Sequence, residues 1–223
     1  MPLSRCDDIH KRNHPEMTME KTANPAPLGL MGFGMTTVLL NIHNAGFFPI
    51  SSMILAMGLF YGGIAQVIAG ILEFRKGNTF GMTAFVSYGA FWITLVGLIV
   101  GPRTGWMDRT PEGFMGCFLV MWGIFTLFMF FGTLRSNRAL QFVFGSLTVL
   151  FFLLAIRDFA ESPVVGTIAG WEGILCGASA IYLAMAEVLS EQFGRDVLPI
   201  GRPKVAVIAS VPGSLPAVVS GVG

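Results

Sequence analysis

The sequence predicts an all-α polytopic membrane protein with six transmembrane helices, and three observations support this prediction. First, 53% of the 223 residues are hydrophobic and only 12% are charged, which is about half the charged fraction of a typical soluble domain. Second, the apolar residues form long uncharged blocks, as expected for spanning helices. Third, each block approaches the ~20 residues needed to cross a ~30 Å hydrocarbon core. The blocks cover roughly residues 28–48, 50–72, 80–100, 113–134, 139–156 and 164–188, the fifth being the shortest.

The blocks lie between two tails, and we expect three regions in the chain. Residues 1–23 are polar and lack the apolar core of a signal peptide, so we interpret them as a disordered cytoplasmic tail. Residues 24–190 form the transmembrane domain. Residues 191–223 form a second cytoplasmic tail, which from residue 202 onward is interrupted by prolines and is too short to span. We expect that end to be disordered and assign it no function.

The first block begins with a signal for helix entry. Pro25 and Pro27 cannot continue a preceding helix, and Asn24 is suited to be the N-cap. Three glycines follow at positions 29, 32 and 34. In a membrane, such glycines allow neighbouring backbones to approach closely or leave room for a solute. The sequence leaves these two alternatives open.

The distribution of positive charge predicts the orientation in the membrane. Eleven of the 14 Lys and Arg residues lie in the two tails and in the connections after the second and fourth blocks. The opposite side has Arg103, Arg109 and Arg157. Because cytoplasmic loops are enriched in Lys and Arg, we expect both termini in the cytoplasm, as an even number of spans requires.

A short pattern recurs in alternate blocks. Residues 33–37 (FGMTT) are similar to residues 80–84 (FGMTA) and, more loosely, to residues 144–148 (FGSLT). Such a repeat predicts three helical hairpins around a central pore, with the odd-numbered helices meeting at one axis. Chance is the alternative, because the chain contains 20 Phe and 28 Gly residues.

Composition and motifs argue against several function classes. A net charge of +1 gives no support for nucleic-acid binding. Cys6, Cys117 and Cys176 fit neither a disulfide framework nor a thiol metal site, and we interpret the thiols within apolar runs as buried and free. His43 lies near the end of the first block without a nucleophile or carboxylate that would indicate catalysis. We therefore predict no catalytic residue, no metal and no cofactor.

Acidic residues are absent from the middle of the predicted spans. Glu73, Glu172 and Glu187 are the nearest, and we place all three towards span ends. Because an intramembrane charge is costly and is kept where function requires it, this absence favours a channel-like path over a carrier with a central acid. Uptake of a proton together with an anion remains open. We interpret Glu73 and Glu187 as ion-pair partners at helix ends.

Neutral polar groups are therefore the candidates for a path through the membrane. Gln66 lies between Gly62 and Gly70 on one helix face, and Thr83 and Ser87 lie four residues apart. Each side chain either bonds a neighbouring helix or faces a solute, and the spacing leaves both open. The candidate path residues are Gln66, Thr36, Thr37, Asn41, Thr83 and Ser87.

Several short segments, in order along the chain, resemble the acetate uptake transporter family. They are residues 24–30 (NPAPLGL), 61–66 (YGGIAQ), 77–81 (GNTFG), 128–134 (FMFFGTL), 177–182 (GASAIY) and 192–195 (QFGR). The resemblance covers roughly residues 22–201 and passes through every apolar block. It implies a transporter of acetate and small carboxylates such as succinate in the bacterial inner membrane, with or without proton coupling.

The resemblance also implies roles for particular residues. Family members have a narrow hydrophobic constriction of one Phe, one Tyr and one Leu, and these positions match Phe33, Tyr88 and Leu147. Ala180 matches a position that influences substrate size together with the Leu. The family forms homohexamers with a pore in each protomer. The alternatives are a channel for another small solute, such as formate, or a structural membrane protein without transport.

Overall fold

The computed structural model describes residues 22–203, and these form six long helices with no β-strand among them. Both predicted tails lie largely outside the described residues. The all-helical prediction is confirmed, and each predicted block contains one helix. The helices are α1 (Ala26–Asn44), α2 (Ser52–Arg75), α3 (Thr79–Arg103), α4 (Glu112–Gly132), α5 (Arg138–Ala160) and α6 (Pro163–Phe193).

Helices α2 to α6 are long and apolar enough to cross a membrane. The first helix, α1, has 19 residues and is the shortest of the six. The prediction that the fifth span is the shortest is wrong, because α5 has 23 residues and continues to Ala160. Helix α1 is not among the candidate spans, and it buries Thr36, Thr37 and Asn41 inside the bundle.

Side-chain caps begin three of the helices. Asn78 accepts a hydrogen bond from the Gly81 N–H at 3.0 Å, and Asn137 accepts one from the Leu140 N–H at 2.8 Å. Asn24 was predicted to cap α1, but the N-cap is Pro25, which makes no side-chain capping hydrogen bond. The Asn24 side chain still accepts from the Ala26 N–H at 3.3 Å. Ser162 caps α6 through the Val165 N–H.

The middle of α2 is wound as a π-helix over Met57–Ala65, between two α-helical segments. Stretches of π-helix are uncommon and often lie at functional sites. Its buried glycines, Gly58, Gly62 and Gly63, face α1 and α3. The α-helical winding resumes at Gln66, which places this amide inside the bundle.

The helices pack in a ring in chain order. Consecutive helices pack on each other, and α1 closes the ring by packing along α6. Aromatic side chains join α3 to α4, including Phe91 stacked on Phe118 with centroids 5.8 Å apart. Both described chain ends lie at one end of the bundle, since Asn24 bonds Glu187 and the Ile200 carbonyl accepts from the Ala139 N–H.

Glycines bring α1 and α6 into backbone contact. A Cβ atom added to Gly34 would lie 2.7 Å from the Gly177 carbonyl oxygen, and one added to Gly177 would lie 2.7 Å from that of Gly34. The other α1 glycines are equally confined, with Gly29 against Phe85 and Gly32 against the Tyr61 carbonyl. Close packing, rather than space for a solute, therefore explains the glycines of α1.

Candidate functional site

Two cavities, each of about 240 Å³, enter the bundle from opposite ends. The first, here called the His43 cavity, lies where α1 and α5 end, and its polar lining is Thr37, Asn41, His43, Asn44 and Arg157. The second, here called the Glu73 cavity, lies where α1 and α5 begin, and its polar lining is Asn24, Gln66, Glu73, Lys76, Asn78 and Glu187.

Phe33, Tyr88 and Leu147 line both cavities, and no other described residue lines both. They come from α1, α3 and α5, and only 6%, 3% and 3% of their surfaces are exposed. The Phe33 and Tyr88 ring centroids lie 6.1 Å apart. A single layer of these three side chains therefore separates the two cavities. The structure brings together the three residues that the family resemblance selected.

Tyr88 is fixed in this layer by α4. Its hydroxyl donates to Thr126 Oγ1 at 3.0 Å, and the Thr126 hydroxyl donates to the Trp122 carbonyl at 2.7 Å. Phe125 and Phe144 pack around the Tyr88 ring at centroid distances of 5.6 and 6.1 Å. The hydroxyl is thus turned towards α4, and the aromatic ring forms the layer. The sequence analysis missed Thr126, whose buried hydroxyl within an apolar run was the available signal.

Replacing Tyr88 with phenylalanine removes one buried hydrogen bond and keeps the ring. We expect Tyr88→Phe to lower the free energy of unfolding by about 1 kcal/mol, the usual net value of such a bond. Thermal unfolding of the purified protein in detergent measures this. Thr126→Val removes the acceptor with little change in shape, so the double variant should lose little more than either single variant. Fully additive losses would contradict the assigned bond.

The polar lining of the His43 cavity is rich in donors. Asn41 Nδ2 donates to the Thr37 carbonyl at 2.9 Å, and Asn44 Nδ2 donates to Asn41 Oδ1 at 3.0 Å. His43 Nδ1 lies 2.7 Å from a backbone carbonyl, so this nitrogen carries the hydrogen. Arg157 pairs with Asp158 at 2.7 Å and is partly exposed. This end of the bundle therefore presents an imidazole and a guanidinium to an entering solute.

Five of the polar side chains of the Glu73 cavity form one connected network. Glu73 is completely buried, and its Oε2 accepts from Asn78 Nδ2 at 2.7 Å. Lys76 Nζ lies 3.9 Å from Glu73 Oε1 and donates to Asn24 Oδ1 at 2.8 Å. Asn24 Nδ2 in turn donates to Glu187 Oε2 at 3.1 Å. Glu73 is thus the ion-pair partner of Lys76. Glu187 instead accepts a hydrogen bond from the Asn24 amide.

The remaining predicted path residues divide between the cavities and the helix contacts. Gln66 lines the Glu73 cavity with 1% of its surface exposed, while Thr37 and Asn41 line the His43 cavity. Thr36 donates to the Met57 carbonyl at 3.4 Å, between α1 and α2. Thr36, Thr83, Ser87 and Ala180 line neither cavity.

The recurring Phe-Gly pattern also has a spatial counterpart. Phe33, Phe80 and Phe144 all line the Glu73 cavity, and the Phe80 and Phe144 centroids lie 5.3 Å apart. The three copies of the pattern therefore place equivalent phenylalanines around one cavity. The constriction takes only Phe33 from this set, so the pattern locates the axis but not the narrow layer.

Glu172 was predicted to lie towards a span end. It lies nine residues after the start of α6 at Pro163, or roughly 14 Å along the helix. The Ser146 hydroxyl of α5 donates to its Oε1 at 2.5 Å, which compensates part of the cost of burial. Glu172 lines neither cavity.

The described part of the chain gives little support for metal binding or for thiol chemistry. Residues 22–203 contain no group of three or more His, Cys, Asp or Glu side chains placed to hold a metal ion. Cys117 and Cys176 are free thiols, the first exposed and the second buried. The interpretation of both thiols as buried is therefore wrong for Cys117, which lies on the outer surface of α4.

A ring of spanning helices that encloses two cavities, separated by one apolar layer, defines a membrane transport protein. The chain belongs to the GPR1/FUN34/yaaH family, whose model matches residues 10–198.

Characterised relatives are similar over most of the chain. The succinate-acetate/proton symporter SatP of Escherichia coli K12 is 65% identical over 182 residues, which are 82% of this chain and 97% of that protein. Acetate permease A of Emericella nidulans is 36% identical, over 82% of this chain and 67% of its own length. A solved structure described as the bacterial acetate channel SatP superposes with a TM-score of 0.80 at 65% identity, covering 81% of this chain and all of its own.

Proposed function

We propose that the protein carries acetate and small carboxylates such as succinate across the membrane, together with protons. The path runs from the His43 cavity, through the layer of Phe33, Tyr88 and Leu147, to the Glu73 cavity. The observation that carries the proposal is that these three side chains alone, among the described residues, line both cavities. The succinate-acetate/proton symporter and the acetate channel to which the chain is similar support the choice of solute.

The apolar layer explains why a small carboxylate passes with a proton. A constriction of apolar side chains excludes water and gates by dewetting. A carboxylate that enters it loses hydration that Phe33 and Leu147 do not replace, whereas the neutral acid loses much less. The methyl group of acetate suits the layer, and donors in each cavity suit the carboxylate. Proton coupling therefore follows from the chemistry of the layer as well as from the similarity to a symporter.

The proposed orientation places the His43 cavity at the outer face of a bacterial inner membrane. The bias of Lys and Arg residues supports a cytoplasmic position for both termini, and the described chain ends lie beside the Glu73 cavity. Anions arriving from outside then meet His43 and Arg157 first. The transporting unit is residues 24–190, flanked by the two tails.

The proposed assembly is a homohexamer with one pore in each protomer, and its support is the family resemblance. The outer surface of the bundle is strongly apolar, with Phe60 62% and Phe128 72% exposed. Such side chains contact lipid or neighbouring copies. The mass of the purified protein in detergent, measured by light scattering, tests the assembly.

The test of the proposed function is the substitution Leu147→Val. We expect the shorter side chain to widen the layer and to raise lactate flux relative to acetate flux by about tenfold, since one methylene in a tight apolar site is worth at least this much. The measurement is uptake of labelled lactate and acetate into liposomes that contain the purified protein.

The matched control is Leu183→Val, because Leu183 is equally buried but lines neither cavity. This variant should keep the lactate-to-acetate ratio of the unmodified protein. An unchanged ratio in a well-folded Leu147→Val protein would contradict the role of the layer. Flux no greater than that of empty liposomes would instead favour a structural membrane protein.

A further inference from the structure

Gln66 is the one polar side chain of the Glu73 cavity that lies outside the connected network. Within residues 22–203, its Oε1 is buried without a hydrogen-bond partner, and only 1% of the surface of the residue is exposed. Tyr88 also lines this cavity, but its hydroxyl donates to Thr126 of α4. A buried carbonyl oxygen without a donor is costly. Gln66 therefore lacks a donor that a solute in the cavity can supply.

Helix packing places Gln66 close to the level of the apolar layer. A Cβ atom added to Gly89, which follows Tyr88 in α3, would lie 2.8 Å from the Gly63 carbonyl oxygen and 3.0 Å from the Val67 nitrogen. This part of α2 therefore packs beside the part of α3 that carries Tyr88, and Gln66 belongs to it.

The charged residues of the cavity lie further from the layer. Glu73 follows Gln66 by seven residues on α2, which is two helical turns or roughly 10 Å. The π-helical stretch of α2, of a kind that often lies at functional sites, ends directly before Gln66. A solute that leaves the layer on this side therefore meets the neutral amide before it meets Glu73 or Lys76.

We propose that Gln66 is the binding site for the protonated carboxyl group of the solute. This inference rests on the proposed function and names a residue that recognises the neutral acid. A carboxamide and a carboxylic acid are complementary, because each has a donor and an acceptor side by side. The O–H of the acid donates to Gln66 Oε1, and Gln66 Nε2 donates to the carbonyl oxygen of the acid.

The same amide discriminates against the carboxylate anion. A carboxylate has acceptors only, so it leaves the Gln66 Oε1 without a donor. A site built to bond a hydroxyl group rejects an analogue that lacks it. Gln66 does not ionise, so the proton crosses the layer on the solute. The carboxylate takes the proton from water in the His43 cavity, and the acid returns it to water in the Glu73 cavity.

Thr37 is the corresponding group on the other side of the layer. It lies one helical turn after Phe33 on α1 and lines the His43 cavity. Its Oγ1 is also buried without a hydrogen-bond partner in the described part of the chain. The layer is thus flanked by two neutral side chains, each with an acceptor that lacks a donor. The O–H of a neutral acid supplies this donor on either side.

The experiment compares two uncharged analogues of acetic acid as competitors. Acetamide has an N–H donor and a carbonyl acceptor, whereas acetone has only the acceptor and the same number of heavy atoms. Uptake of labelled acetate into liposomes that contain the purified protein is measured with either analogue on both sides, after subtraction of the leak into empty liposomes. Because acetone leaves the Gln66 Oε1 unpaired, equal inhibition should require at least about tenfold more acetone than acetamide.

Gln66→Met removes both polar atoms of the amide and keeps the length of the side chain. Acetamide should then lose its advantage, so that the two inhibitory concentrations agree within about twofold. The matched control is Gln141→Met in α5, because Gln141 lines neither cavity and its Nε2 donates to the Thr133 carbonyl at 3.3 Å. This variant should keep the preference for acetamide, since a loss of structural hydrogen bonds does not change it.

The outcomes separate this inference from the proposed function. Absence of acetate flux in the unmodified protein would overturn the proposed function. Normal flux without a preference for acetamide over acetone would overturn only the role of Gln66. A preference that persists in Gln66→Met, or that Gln141→Met loses to the same extent, would do so too. The comparison in the unmodified protein needs no variant, so a missing preference overturns the site even if Gln66→Met does not fold.

Discussion

Replacement of Gly177 with leucine is expected to prevent formation of the folded bundle. Any side chain at this position points at the backbone of α1, since its Cβ would lie 2.7 Å from the Gly34 carbonyl oxygen and 2.9 Å from the Val38 nitrogen. Backbone cannot move aside as a flexible side chain does, so α1 and α6 would have to separate along this contact. The cost should exceed about 3 kcal/mol, the upper end of ordinary overpacking.

The matched control is Gly97→Leu in α3, because a Cβ at Gly97 has nothing within 4 Å. Yield of monodisperse protein after gel filtration in detergent measures both variants. Gly97→Leu should give a normal yield, and Gly177→Leu should give almost none. A normal yield and melting temperature for Gly177→Leu would show that the contact between α1 and α6 is not required for the fold.

The number of long helices was predictable from the sequence for a physical reason. Each apolar block is long enough to cross the bilayer on its own, so its identity does not depend on contacts elsewhere in the chain. The boundaries were less predictable because a helix need not end where its apolar run ends. α6 runs to Phe193, past the predicted end at residue 188, and α1 ends at Asn44 rather than at residue 48.

The apolar layer was found through resemblance rather than through residue chemistry. Phe33 and Leu147 are ordinary apolar residues in apolar helices, and nothing in their spacing marks them. The recurring Phe-Gly pattern selected Phe80 and Phe144, which line the Glu73 cavity one layer away from the constriction. The sequence pattern therefore found the axis, and the family motif found the position along it.

The network around Glu73 was not predictable from the sequence because its members are distant along the chain. Asn24 and Glu187 are 163 residues apart, and Lys76 and Asn24 are 52 apart. A carboxylate near a helix end usually faces solvent, and that expectation placed Glu73 outside the path. In the fold, α1, α3 and α6 instead surround the end of α2, and Glu73 is buried there.

Replacement of Leu147 with tryptophan is expected to block transport. The layer has one side chain from each of three helices, and a cavity of about 240 Å³ lies on either side. The extra atoms of the indole enter a cavity instead of displacing backbone, so the protein should fold while its path is filled. Flux of labelled acetate should fall by at least about tenfold, which corresponds to an added barrier of about 1.4 kcal/mol.

The control for this prediction is Val149→Trp, two residues further along α5. Val149 is 50% exposed on the outer surface of the bundle, so an indole there contacts lipid and leaves the path unchanged. If both variants fold and carry acetate at the normal rate, the solute does not pass through the layer. Loss of flux in Leu147→Trp alone would place the route between the two cavities, because Val149→Trp adds an indole to the same helix on its outer face.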